Sequence, residues 1–239
     1  KLNKNISKIF IAEYNPVFGS ELEVTVPDIS GFERNKYHYS NLCYGMSLKA
    51  LIKLREEGVV KAIGCGMNQN EMLVEFAKEG CFDVFLLAGR YTLIDQTSLD
   101  ELIPICEDNG ISLVLGGVFN SGILIEPNPD SYFDYCKLDK DWVKNVSDSL
   151  VRVPKAHESA NYWLDKAYKL KSACDKFNLP LKQAAIQFPY SNKIVKSCLL
   201  GMTSQNQVEE NTSLYNKKID NKFWEYLKEN ELISSKSPI

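Results

Sequence analysis

From Gly45 onward, short apolar runs alternate with stretches whose apolar residues recur every three or four positions. That is the pattern of strands alternating with amphipathic helices in a parallel α/β protein. In Met46–Glu57, Leu48, Leu51, Ile52 and Leu54 fall mostly on one helical stripe, and Gly58 supplies the stop. Val59–Gly64 then reads as a strand. Asn68 or Asn70 is placed to cap a helix carrying Met72, Leu73, Phe76 and Ala77, closed by Gly80. Phe82–Ala88 is almost wholly apolar, the signature of a strand covered on both faces. Ser98–Asn109 follows as a helix with Leu99, Leu102, Ile103 and Cys106 inward, and Ile111–Leu115 as a strand. That strand runs into the small-residue loop Gly116–Gly122.

Between Glu126 and Ser159 the periodicity lapses, punctuated by Pro127, Pro129 and Pro154. A segment this long without regular structure is usually functional or mobile. Its aromatics Tyr132, Phe133, Tyr135 and Trp142 suit a lid over a pocket or the anchoring of a surface excursion. Helices are expected over Ala160–Phe177 and over Leu181–Tyr190, the second opened by Pro180. A last strand covers Ser197–Leu200, a helix starts near Ser204, and another spans Asn221–Asn230. Residues 1–44 hold two candidate strands, Lys8–Ala12 and Leu22–Val26, with no clear helix between them. An eight-unit α/β barrel needs about 240 residues. The expected organisation is one domain over 1–239, with 1–44 a compressed N-terminal remnant and 45–239 a C-terminal half.

Composition narrows the partners. A net charge of −3 lacks the clustered cations that nucleic acid or an anionic membrane surface requires. No apolar run approaches the roughly 18 residues of a membrane span. The opening KLNKNISKIF has no signal-peptide core, so a cytoplasmic setting is expected. The seven cysteines are odd in number and none has C-x-x-C spacing, which fits thiols packed as small hydrophobes. With only His38 and His157, a His-rich metal site is excluded by count and no metal is expected.

The stretch LIKLREEGVVKAIGCGMNQNEMLVEFAKEGCFDVFLLAGRYTLIDQTSLDELIPICEDNGISLVLGGVFNSGIL, with LLGMTSQNQVEEN nearer the C-terminus, resembles the aldo-keto reductases. It is most similar to their sugar-oxidising branch, the D-threo-aldose and L-galactose dehydrogenases. The resemblance implies a (β/α)8 barrel, complete here only in its second half. It also implies a nicotinamide cofactor lying across the C-terminal ends of the strands, and a small-molecule sugar as partner. In GGVFNSGIL, small residues let backbone approach a pyrophosphate, and the resemblance sets Phe119, Ser121, Gly122 and Leu124 beside it. In GMTSQNQVEEN it sets Gly201, Met202, Thr203, Gln207, Glu210 and Asn211 around the adenosine. No Lys or Arg lies between Lys196 and Lys217, so a 2′-phosphate would find no cation in that segment. NAD is therefore expected over NADP. Asn68 or Gln69 stands where the family holds the carboxamide, and Gly116 where others stack a tyrosine. Arg90 and Tyr91, at a strand end, stand where the sugar dehydrogenases face their substrate, although Arg90 equally suits a salt bridge.

The family's catalytic tyrosine is assisted by Asp, Lys and His, a nearby ammonium lowering the phenol toward neutrality. Those groups come from the first strands. One alignment sets Glu13 at the aspartate and Phe18 at the tyrosine, and a phenyl ring has no proton to exchange. A second sets Tyr14-Asn15-Pro16 on the family's H-D-P and loses the histidine. Tyr37-His38-Tyr39-Ser40 resembles a tyrosine-rich stretch of the sugar dehydrogenases, and no candidate for the lysine is found. The chain opens on Lys1 rather than Met, and together with the absent groups this points to a segment-deleted or fragmentary relative. Three readings stay open. The chain is an NAD-dependent enzyme oxidising an aldose at C1 to a lactone, a remnant that at most binds the dinucleotide, or a barrel enzyme of other chemistry on the same phosphate site.

Overall fold

A computed structural model describes residues 9–13, 46–128 and 162–239. Five parallel strands form one sheet in chain order: β1 (Ile9–Glu13), β2 (Ala62–Met67), β3 (Val84–Ala88), β4 (Ser112–Gly116) and β5 (Val195–Cys198). The helices are α1 (Met46–Glu56), α2 (Asn70–Lys78), α3 (Leu102–Asn109), α4 (Tyr162–Lys176), α5 (Leu181–Gln187), α6 (Gln205–Asn216) and α7 (Asn221–Glu229). Sequential parallel pairing of this kind needs helical crossovers. Among the described residues the sheet is open, with β1 and β5 at its edges. The expected strand at Leu22–Val26 and the aromatics from Tyr132 to Trp142 lie outside the described residues.

Every residue of β2 is buried, as in a parallel strand covered on both faces. Leu73, Phe76 and Ala77 of α2 join Leu102, Ile103 and Cys106 of α3 over Ile63, Phe85 and Leu113 of the sheet. Phe82 links the layers, its ring centroid 5.8 Å from Phe76 and 5.4 Å from Phe85. Gly64 is fixed by its neighbour, because a Cβ there would lie 2.1 Å from the Val84 carbonyl oxygen. Asp83 ties three elements together: its Oδ2 accepts from the Ile63 N–H at 2.9 Å and from Arg55 of α1. At the far end Phe177, Phe223, Trp224 and Phe188 pack α4, α5 and α7 together.

Several boundaries shift from the sequence reading. β2 starts at Ala62 because the Val59 and Val60 N–H groups close the end of α1 on the Leu54 carbonyl, which leaves Val59 exposed. The helix expected over Ser98–Asn109 is a 3-10 turn, Thr97–Leu99, followed by α3. Pro104 has no N–H to donate and is tolerated only in a first turn, so α3 begins at Leu102. Pro189 similarly divides Leu181–Tyr190 into α5 and the 3-10 turn Phe188–Ser191. Neither Asn68 nor Asn70 caps α2. Gln69 holds that position, and the Asn70 amide donates instead to Thr97 Oγ1 at 3.0 Å. β5 begins two residues before Ser197, where Leu113 pairs with Val195 and a register shift follows.

Candidate functional site

Because β2 to β5 run parallel, the loops that follow them emerge at one end of the sheet. β4 and β5 are hydrogen-bonded neighbours, Leu115 opposite Cys198, and the Leu199 N–H extends the ladder to the Leu115 carbonyl at 2.7 Å. This adjacency sets the two segments that resemble cofactor-binding loops, 116–124 and 201–211, on neighbouring strand ends although some 80 residues of chain separate them.

The loop after β4 is conformationally unusual. Gly117, Asn120, Ser121 and Gly122 have φ of +62°, +47°, +56° and +96°, and the left-handed region is disfavoured for Asn and more so for Ser. At Gly117 the backbone runs close to the preceding loop, where an added Cβ would stand 3.3 Å from the Gly89 nitrogen. Buried Asn120 fastens the same two loops, its Nδ2 donating to the Gly89 carbonyl at 3.2 Å. The N–H groups of Gly122 and Leu124 donate to the Phe119 carbonyl, and that of Ile123 to the Asn120 carbonyl. The turn thus engages three of its own backbone donors internally. Phe119 and Gly122 are half-buried, Ser121 is exposed, and the Leu124 side chain is in the core.

The loop after β5 leads into α6 through a capping arrangement legible as S-x-x-Q. Ser204 Oγ accepts from the Gln207 N–H at 3.3 Å, and Gln207 Oε1 accepts from the Thr203 N–H at 2.7 Å. That carbonyl oxygen is therefore committed, and the Gln207 amide nitrogen remains as a neutral donor. Gly201, Met202, Thr203, Gln207 and Glu210 are exposed, and nothing stands within 4 Å of a Cβ placed on Gly201. Asn211 differs. It is 5% exposed, and its Oδ1 has no hydrogen-bond partner among the described residues. A buried polar atom left unpaired is costly, and a ligand donor would relieve it. The residues present thus fit the adenosine end of a dinucleotide: an exposed small-residue loop, a capped helix start and one buried acceptor in need of a donor.

The sequence reading missed Lys182 on α5. Its Nζ pairs with Glu210 Oε2 at 2.6 Å, so a cation does reach α6, from an element outside that segment.

Arg90 and Tyr91 follow β3, but both side chains are buried. Arg90 Nε donates to the Asn68 carbonyl at 2.9 Å, and Nη1 lies 3.5 Å from Asp95 Oδ2. Asp95 Oδ1 accepts from the Thr97 N–H and hydroxyl at 3.0 and 2.8 Å. Burial pushes the Asp95 carboxyl above its ordinary range, against the lowering pull of Arg90 and of the Thr97 bonds. Tyr91 packs at a tilt against Phe188, shares a hydrogen bond with Ser191 at 3.0 Å, and is pushed up to about 12 by burial. Tyr190 is likewise raised to about 12 by burial. Neither phenol is poised for proton transfer near neutrality. Tyr190 lines a cavity of about 550 Å³ with Tyr215, Asn216, Trp224 and Glu225, and none of the ten cofactor positions borders it. Glu13 ends β1 opposite Gly66; its side chain, and Phe18, Tyr37 and Tyr39, lie outside the described residues.

The sheet and the loops at its C-terminal edge define an α/β protein of the parallel, barrel-forming class with a candidate dinucleotide site. The aldo/keto reductase family pattern matches residues 20–231, and the chain belongs to that family of oxidoreductases. It is 33% identical over 203 residues to a pyridoxal 4-dehydrogenase of Microbacterium luteolum, covering 84% of this chain and 53% of that protein. It is 34% identical over 199 residues to a D-threo-aldose 1-dehydrogenase of a Pseudomonas species, covering 82% and 54%. An L-galactose dehydrogenase of Arabidopsis thaliana is 24% identical over 170 residues, covering 70% and 46%. The chain therefore spans about half the length of the curated relatives it matches. Among solved structures, an aldo-keto reductase of Bacillus halodurans superposes with a TM-score of 0.56 at 18% identity, over 78% of this chain and 55% of the other. That likeness concerns the fold. Among the described residues, no helix is long and apolar enough to cross a membrane.

Proposed function

We propose that this chain binds NAD along the ends of β4 and β5 and serves the oxidation of an aldose at C1 to its lactone. The observation that carries the reading is the adjacency of the 116–124 and 201–211 loops, with the unpartnered Asn211 Oδ1 at the end of the second. When bound, the nicotinamide ring supplies a hydride acceptor. In that oxidation the anomeric C–H bond breaks with its electron pair leaving as hydride, and the C1 hydroxyl gives up its proton to a base. On this reading Phe119, Ser121, Gly122 and Leu124 border the diphosphate, with the exposed Ser121 hydroxyl as its side-chain donor. Gly201, Met202, Thr203 and Gln207 border the ribose, with Glu210 and Asn211 toward the base. The preference for NAD rests on Gln207, a neutral donor where a 2′-phosphate would want a cation. The sugar class follows the D-threo-aldose relative. Arg90 and Tyr91 then support the site from beneath through Asn68 and Ser191, instead of touching sugar.

A second reading, binding without turnover, is favoured by the alignment that sets Phe18, a ring with no proton to exchange, at the family's tyrosine, with no candidate for the lysine. NADH production with L-fucose, D-arabinose and L-galactose, run beside a direct NAD titration, separates the two. Turnover with saturable NAD binding supports the first, and binding with no turnover on any sugar selects the second. An absence of binding overturns both.

A further inference from the structure

The α6 end of the site contains a charge arrangement that the loop sequence alone does not reveal. Glu210 is a little over half exposed on α6, and Lys182, on α5, is largely sheltered, with 15% of its side chain accessible. They are 28 residues apart and meet at 2.6 Å. The Lys182 ammonium is thus held at the adenosine end with its charge already matched. Gln207, the other side chain near the helix start, has its carbonyl oxygen committed to Thr203 and brings no charge.

We infer that the Lys182–Glu210 pair is a cofactor selector: Glu210 masks the one described cation beside the adenosine loop, and Lys182 holds the Glu210 carboxylate against α6. This rests on the reading of 201–211 as the adenosine site. A 2′-phosphate brought to that loop meets a carboxylate whose partner is already engaged, and can reach the ammonium only by displacing Glu210. A ribose carrying a free 2′-hydroxyl brings no such conflict. Lys182 is a positioning residue here, and the two partners have opposite effects on selectivity. Without Glu210, the ammonium is open to a phosphate. Without Lys182, the carboxylate is uncompensated and repels it.

The test is the ratio of dissociation constants for NADPH and NADH, measured by titration of the purified full chain. Taking the ratio within one protein cancels any general loss of fold. Glu210→Gln is expected to lower the NADPH/NADH ratio about tenfold, the scale of one charge-assisted contact. Lys182→Gln is expected to raise it by about threefold, a smaller shift because Glu210 is partly screened by solvent. The exchanged pair K182E/E210K keeps the ammonium matched, now from α6, and should shift the ratio less than Glu210→Gln. All three shifts shrink in 0.5 M salt, roughly as the screening length contracts. Ratios that stay put, or that move the same way in both single variants, overturn the selector. A wild-type chain binding neither dinucleotide overturns the adenosine-site reading and the selector with it, a failure distinct from binding with an unmoved ratio.

Discussion

Two neighbouring strand ends are built in opposite ways. After β3, Arg90, Asp95, Gln96 and Thr97 close into a buried polar knot. Gln96 Nε2 donates to the Thr92 and Leu93 carbonyls at 2.7 and 2.8 Å, Ser98 Oγ donates to the Arg90 carbonyl, and Gln96 Oε1 accepts from the Ser234 N–H. After β4 and β5 the chain instead exposes Ser121, Gly201, Thr203 and Gln207, holds two non-glycine residues at positive φ, and leaves buried Asn211 Oδ1 with no partner among the described residues. A knot that satisfies its own polar groups gains rigidity and has little left for a ligand. An exposed loop with strain and an unmet acceptor is what a binding site looks like before its ligand arrives. On the proposed reading, the side chains after β3 are scaffold and recognition belongs to the next two loops.

The sharpest way to break this contrast is at Asp95. Asp95→Ala withdraws the acceptor of two Thr97 donors and the carboxylate facing buried Arg90, and is expected to reduce unfolding free energy by about 3–5 kcal/mol in denaturant titrations. A loss below about 1 kcal/mol would show that the knot is not what fixes this loop. The same carboxyl gives a pH signature. Its folded value is raised above 3.8, chiefly by burial, so the folded chain holds this proton more tightly than the unfolded one. The group's contribution is then greatest at and below pH 3.8 and is lost as pH rises through the raised value. Asp95→Asn removes that slope from a stability–pH profile; an unchanged profile would place the titration elsewhere.

Next in size is Asn211→Ala. In the free protein Oδ1 has no described partner to lose, so stability should hold within about 1 kcal/mol, while dinucleotide binding weakens about tenfold. A fall in stability with unchanged binding would make Asn211 a packing residue and move the open loop into the same class as the closed one.

How far all this could be read from the sequence follows the range of the forces involved. The α1 stripe and the Ser204 start of α6 are set by residues within one or two turns, and they appear where the local pattern of the chain puts them. The left-handed end of α3 at Gly110, with φ of +68°, is equally local. Boundaries drifted where a local competitor intervened, as with Val59 and Val60 on the Leu54 carbonyl and with Pro104 and Pro189. The family was visible in the residue order of the strand–loop–helix stretch from Leu51 to Leu124 and of Leu199–Asn211. The Lys182–Glu210 pair was not, since no periodicity links side chains 28 residues apart on different helices. The sequence leaves Arg90 open between a sugar contact and a salt bridge because its partner Asp95 is defined only once the loop folds back.

The finest test sits in the loop after β4. Ser121 holds φ of +56° and ψ of +21°, a conformation that L-residues with a Cβ adopt at a penalty of about 1–2 kcal/mol. Glycine removes that penalty in the folded state but adds freedom to the unfolded chain, an opposing effect of about 0.5–1 kcal/mol. Ser121→Gly should therefore leave unfolding free energy raised by about 0.5 kcal/mol or unchanged, instead of lowered as at an ordinary helix position. If the strain preorganises the turn for a diphosphate, relaxing it loosens the bound geometry, and NAD should bind about two- to threefold more weakly in the same variant. Stability and affinity moving in opposite directions would mark the strain as part of the site. A parallel loss of both would mean that the Ser121 side chain itself holds the turn, and the contrast between a closed scaffold loop and a strained open one would have to be drawn elsewhere.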